Sequence, residues 1–254
     1  MRNNSTKLII LAVIAIIFIL LYGFYDIKGG FDYAFPRRMI KVGAMVVTGI
    51  AIAYSTVVFQ TITQNRILTP SVMGLDSMYE VVQTLIFFFA GATSVWVVNK
   101  YLNFSVAILA MVLFALLLYR FLFRADKYPI FLLLLIGMIL GTLLGNFVTF
   151  LQVLIDPVEY LSLQNLLFAN FSKVNGDLLL FAAVILLIAF IYGFRIMHKL
   201  DVMNLGRENA INLGVNYDRM MMNILILSSV LIATAAALVG PITFLGLIVG
   251  NLAY

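Results

Sequence analysis

Residues 8–25, 42–65, 81–99, 101–119, 128–155, 178–194 and 220–254 contain no charged side chain at all. Uninterrupted runs of this length limit the fold more than any other feature. In hydrocarbon every backbone N–H and C=O must find a partner within the protein, so only helices and closed barrels span a bilayer. A barrel is written in alternating segments of about ten residues, whereas these runs are continuous. About 20 apolar residues in a helix cross the hydrocarbon core, and most of the runs reach that length. The last exceeds one span and is interrupted by Gly240-Pro241, which predicts a seventh helix ending there and the beginning of an eighth. A composition of 64% hydrophobic and 11% charged residues agrees with this reading. The expected fold is all-α: a polytopic helical membrane protein of about seven to eight transmembrane helices. Residues 1–254 form one membrane domain.

Charge gives an orientation. Basic residues mark the cytoplasmic side of membrane proteins. With Arg2 and Lys7 inside, Arg66, Arg120, Arg124, Lys127, Arg195 and Lys199 fall inside too. The full count is ten basic residues inside against six outside. The loop and helix start with Lys28, Arg37, Arg38 and Lys41 fall outside and need a reason of their own. The first run is too long for a secretory signal and lacks a small-residue cleavage site, so it reads as a retained helix. The uncharged stretch "YLSLQNLLFANFS" in the outer segment 156–177 is too short to cross and reads as a re-entrant or interfacial helix.

Other classes fall away. There is no cysteine and one histidine, His198, so Cys/His metal sites and disulfides are excluded. No metal site and no cofactor is expected. No Gly-Lys pair occurs, hence no phosphate-cradling P-loop. The net charge of +5 marks membrane sidedness and not a nucleic-acid partner. One segment fits none of the spans. "DVMNLGRENAINLGVNYDRM", residues 201–220, carries five charged residues, four asparagines and two glycines between two apolar runs. Val202 and Leu205, then Ala210 and Leu213, stand at helical spacings of three, with Gly206 and Gly214 as breakers. This pattern predicts two short cytoplasmic helices over 200–217, or an ordinary solvated loop with helical spacing.

This segment resembles the cytoplasmic coupling loop of FecCD-type permeases, the ABC-importer subunits for iron–siderophore complexes, haem or cobalamin. The matching residues are Leu205, Gly206, Glu208, Ala210, Leu213, Gly214 and Val215. "GIAIAYSTVVFQTITQNRILTPSVMGL" is similar to a second family motif, with Gly49, Gln60, Asn65, Pro70 and Gly74 in register. "FPRR" resembles the family's Leu-Pro-Arg at Pro36 and Arg37, and "VGPITFLGLIV" a third motif from Gly240 to Val249. Departures occur at Arg66, where proline is usual, at Thr56, where glycine is usual, and at Gly250-Asn251 and Tyr254. Family members carry about ten helices, so the C-terminal ones are expected to be missing from this chain.

The resemblance implies a bacterial inner-membrane permease with a cytoplasmic N-terminus, a ferric-siderophore member. It implies a second permease, identical or homologous, two separate ATPase subunits, and an extracytoplasmic binding protein, a lipoprotein in a Gram-positive cell. The chain itself would not be an enzyme. Leu205, Gly206, Glu208, Ala210, Leu213 and Gly214 would meet the ATPase, with Glu208 in a charge-assisted pair. Arg37 matches the family's docking arginine, and Arg38 stands in for a companion that is Ala34 here; the alternative is that both anchor the helix to lipid phosphates. Gln60, Asn65, Pro70, Asp76 and Glu80 are the candidates for the translocation pathway. Asp76 and Glu80, one helical turn apart, also allow a proton- or ion-coupled secondary transporter, since an intramembrane carboxylate is costly. For Asp76 a third reading is stabilisation at a helix N-terminus.

Overall fold

The computed structural model describes residues 2–25, 30–65, 68–123 and 130–252. Lys28, Arg66, Arg124, Lys127 and Tyr254 of the charge and motif reading lie outside these. Every regular element among the described residues is helical: α1 (Arg2–Phe24), α2 (Phe31–Thr63), α3 (Leu75–Ala90), α4 (Val95–Val98), α5 (Lys100–Phe123), α6 (Ile130–Leu154), α7 (Pro157–Leu167), α8 (Gly176–Met203), α9 (Arg207–Asn212), α10 (Tyr217–Val239) and α11 (Leu245–Leu252). Of these α2, α5, α6, α8 and α10 are long and apolar enough to cross a membrane by themselves. With α1, α3 and the start of α11, the multi-pass architecture expected from the uncharged runs is present. The protein is a multi-pass membrane protein.

Helix α10 is the central mast. It packs against α2, α3, α5 and α8, and Met221, Ile224, Leu231 and Ala233 on it are fully buried. It ends where the sequence breaks, at Gly240 with φ 105°. A Cβ there would lie 3.0 Å from the Cα of Ala169, so glycine is needed both for the backbone angle and for the close approach. The segment after α6 forms α7, started by Asp156, whose side chain accepts from the Val158 N–H at 2.9 Å. Leu163 of α7 is buried against Phe87 of α3, which fixes this short helix on the far side of the bundle from the N-terminus.

Two features depart from the expected layout. Residues after α2 do not simply turn on the surface. Pro70–Met73 forms a 3-10 turn seated on α6, where Gly137 and Gly141 face Met73 and Gly74. Gly141 is 11 residues along α6 from Ile130, about 16 Å at 1.5 Å per residue. Helix α3 therefore starts well inside the membrane, and its 16 residues need not cross the full thickness. The second departure is in 200–217. Val202 belongs to the last turn of the long α8, so this segment holds one free-standing short helix, α9, and not two. Apolar α8 continues helical beyond its uncharged run because Arg195, Lys199 and Asp201 lie on its exposed surface.

Gly74 has φ +83°, and an added Cβ would lie 2.9 Å from the Cα of Gly141. The left-handed backbone costs a side chain about 1–2 kcal/mol and overpacking about 1–3 kcal/mol more. Gly74→Ala should therefore lower stability by about 2–5 kcal/mol. Gly145→Ala on α6, with nothing within 4 Å, should be neutral or stabilising by up to about 1 kcal/mol. Unfolding of the purified variants in detergent separates the two.

Candidate functional site

Helix α8 ends at Met203, and Gly206 swings the chain into α9 with φ 93° and ψ 166°, a combination open essentially to glycine alone. Helix α9 has six residues and closes at Gly214, φ 82°. Local bonds stiffen it: the Asn209 side chain donates to the Leu205 carbonyl at 2.8 Å, and the Val215 N–H to the Ala210 carbonyl at 3.0 Å. Three further contacts mount the segment on the bundle. Gln64 at the end of α2 donates to the Asn204 carbonyl at 3.2 Å. Tyr119 on α5 donates to the Asp218 carbonyl at 2.7 Å. Val215 and Tyr217 pack on the main apolar core. The Arg207–Asp218 pair, at 3.5 Å and half-exposed, adds little, because water screens such pairs.

Five of the expected contact residues remain available on this mount. Leu205 is 57% and Leu213 62% exposed; Glu208 and Gly214 are exposed and Gly206 is partly so. Ala210 is corrected: at 0% exposure it faces the bundle and seats α9, so a partner cannot reach it. The spacing of three that paired it with Leu213 fails because the helix ends at Asn212 and Leu213 turns away. Ile211, 51% exposed, completes the outer ridge instead. Its neighbour Ala210 being the buried one is the signal that a helical wheel anchored on Ala210 would have supplied.

At the other end of the bundle Arg37 and Arg38 lie inside α2 and not in a loop. Arg37 is exposed and stacks over the Tyr33 ring at 4.0 Å. Arg38 is turned back onto α1, donating to the carbonyls of Tyr22 (2.8 Å) and Tyr25 (2.6 Å). A cation on the last carbonyls of a helix satisfies orphan acceptors and complements the dipole. Arg38 is therefore a clamp between α1 and α2, which leaves Arg37 as the residue presented outward.

The five pathway candidates are not gathered into one open channel. Gln60 is 4% exposed and Pro70 is buried at the start of the 3-10 turn. Asn65 is exposed and Glu80 partly so. Asp76, 7% exposed, sits in the first turn of α3, in accord with the helix-terminus reading, near Ser71 and Thr243 and with its Oδ2 buried without a hydrogen-bond partner. What Gln60 and Asp76 share is α11. Gly246 and Gly250, one helical turn apart on α11, lie against Thr56 and Gln60 of α2, and Thr243 just ahead of α11 lies near Asp76. Small residues at such spacing let membrane helices approach closely. The threonine found where the family has glycine at position 56 is accommodated by Gly246. Among the described residues no three His, Cys, Asp or Glu side chains are grouped to hold a metal.

The burial difference on α9 has a measurable consequence. Ala210→Leu should cost about 1–3 kcal/mol by overpacking, whereas Leu213→Asp should stay within about 0.5 kcal/mol as a surface change. Thermal unfolding of both variants checks this.

Residues 11–254 match the FecCD transport family. The petrobactin import system permease protein YclO of Bacillus subtilis (strain 168) is 48% identical over 251 residues, covering 99% of this chain and 79% of that protein. The petrobactin import system permease protein FatC of Bacillus anthracis is 34% identical over 218 residues, covering 86% of this chain and 62% of its own length. A solved structure described as an inward-facing ABC transporter of the metal-chelate type superposes with a TM-score of 0.81 at 29% identity, over 97% of this chain and 78% of that one. With the family matched across nearly every residue, this chain belongs to the FecCD transport family.

Proposed function

We propose that the chain is the membrane-spanning permease subunit of an ATP-driven importer for a ferric siderophore. It lies in the bacterial inner membrane with its N-terminus in the cytoplasm. The observation that carries the coupling role is the apolar ridge of Leu205, Ile211 and Leu213 along the segment around α9, which Gln64 ties to α2 just ahead of α9 and which runs on into α10 where Tyr119 of α5 holds Asp218. A partner that pushes on this ridge moves three spanning helices together, as a rigid transmitting element requires. ATP hydrolysis belongs to two separate ATPase subunits, one on each copy of α9 in a pair of permeases. On the outer side Arg37 docks an acidic patch of a substrate-binding protein, where complementary charge sets orientation and association rate. The siderophore class is supported by YclO and FatC, both petrobactin import permeases. A secondary carrier working through Asp76 and Glu80 is not favoured: these relatives are import-system permeases.

Purification of the tagged protein from its native membrane, with mass spectrometry of what accompanies it, tests the coupling role. An ATPase should copurify with the wild type and be lost from the double variant Ile211→Asp, Leu213→Asp, with the permease still folded. An ATPase retained at wild-type level by that variant would falsify the assignment of α9.

For the outer side, Arg37→Glu is the clean substitution, since Arg38 holds α1. It should reduce siderophore uptake by at least about tenfold, equivalent to 1.4 kcal/mol of lost docking, in a transporter that still assembles. Uptake at the wild-type rate would remove Arg37 from the docking surface.

A further inference from the structure

Helix α1 is joined to the rest of the molecule at one end. Its last turn is clamped on α2 by Arg38 and by the ring cluster of Phe24, Phe31 and Phe35, with centroids 4.9–6.3 Å apart. Away from this clamp its apolar side chains from Ile9 to Leu21 are mostly exposed. The cleft so formed between α1 and α2 holds a cavity of about 720 Å³ lined by Phe18, Leu21, Tyr22, Tyr25, Arg38 and Lys41. Lys41 also lines a second cavity, about 350 Å³, with Arg37, Lys100, Lys173 and the start of α8 at Asn175 and Gly176.

Lys41 therefore joins a cationic chamber to an apolar cleft. It lies three residues beyond Arg38, one turn deeper than the level of Tyr22 and Tyr25, where aromatic rings mark a membrane interface. It is half-buried. Among the described residues it has no carboxylate within salt-bridge distance, while Arg37, Lys100 and Lys173 crowd the same chamber. Like charges gathered in partly desolvated space call for an anion. A ligand that fills both spaces carries a negative group at one end and hydrocarbon at the other.

We propose that the α1–α2 cleft binds one anionic phospholipid of the leaflet on the far side from the N-terminus. Its phosphate sits at Lys41 and an acyl chain runs along Phe18 and Leu21. The site gives a reason for basic residues gathered on the side where the inside-positive bias leaves few, and it holds whether or not Arg37 docks a binding protein.

Native mass spectrometry of the assembled transporter, released from vesicles of equal phosphatidylglycerol and phosphatidylcholine, tests it. One phosphatidylglycerol should stay on each chain, with phosphatidylcholine retained about tenfold less. Lys41→Gln should lower phosphatidylglycerol retention by about tenfold, and Lys199→Gln at the opposite end should leave it unchanged. If Lys41→Gln fails to fold, Leu21→Asp on the exposed face of α1 replaces it with the same expected loss. Equal retention of the two lipids, or retention by these variants, would overturn the proposal. So would displacement by millimolar inorganic phosphate alone, which would mark a free-anion site, or an empty cleft because a second permease fills it.

Discussion

Lipid tails are as apolar as leucine, so no hydrophobic force drives one helix onto another inside a bilayer, and close packing at small residues takes its place. Here the contact on which the rest depends is backbone against backbone, Met73 and Gly74 against Gly137 and Gly141. It lets the chain leave α2, fold back into the membrane as a 3-10 turn and start α3 partway through. That start places Asp76 at the height of Thr243, and so places the turn after α10 and the first turn of α11. Non-helical backbone at membrane depth survives only where protein covers it. Pro70 and Met73 are indeed buried.

Much of this was legible in the residues. The spans are, because hydrocarbon thickness sets a length and excludes charge. The stop at Gly240-Pro241 is, because a helix cannot continue there. The polar segment 201–220 is, because a polar insert with ordered apolar positions is conspicuous in so apolar a chain. The intramembrane start of α3 was not legible, since "NRILTPSVMGL" has the same turn chemistry whether it lies in water or against α6. Arg38 was misplaced for a related reason. Adjacent arginines look alike in sequence, but a helix turns about 100° between them, so one faces outward and the other reaches α1. Ala210 failed where a spacing rule ran past the end of a six-residue helix.

The molecule divides mechanically. The segment at α9 is tied to α2, α5 and α10 by hydrogen bonds and core packing, so force applied there is shared among spanning helices. Helix α11 is held differently, by two glycines on Thr56 and Gln60. Contacts between small residues carry little side-chain interlock, so sliding or tilting α11 disrupts few rotamers. A transporter that alternates between two shapes needs both kinds of attachment: a stiff lever and a seat that can slip.

The short α3 also bears on how the chain is made. With 16 residues and two carboxylates, Asp76 and Glu80, it is a poor candidate for leaving the insertion machinery alone. A charged side chain opposes partitioning by up to about 2.5–3.5 kcal/mol at the centre of a segment, and Asp76 and Glu80 lie in the first half of α3. The helices that bury it, α5, α6 and α10, all emerge later during synthesis. α3 therefore gains the packing that covers it only once α6 has been made to receive Gly74. The order of biosynthesis, no less than the final packing, is written into that pair of glycines.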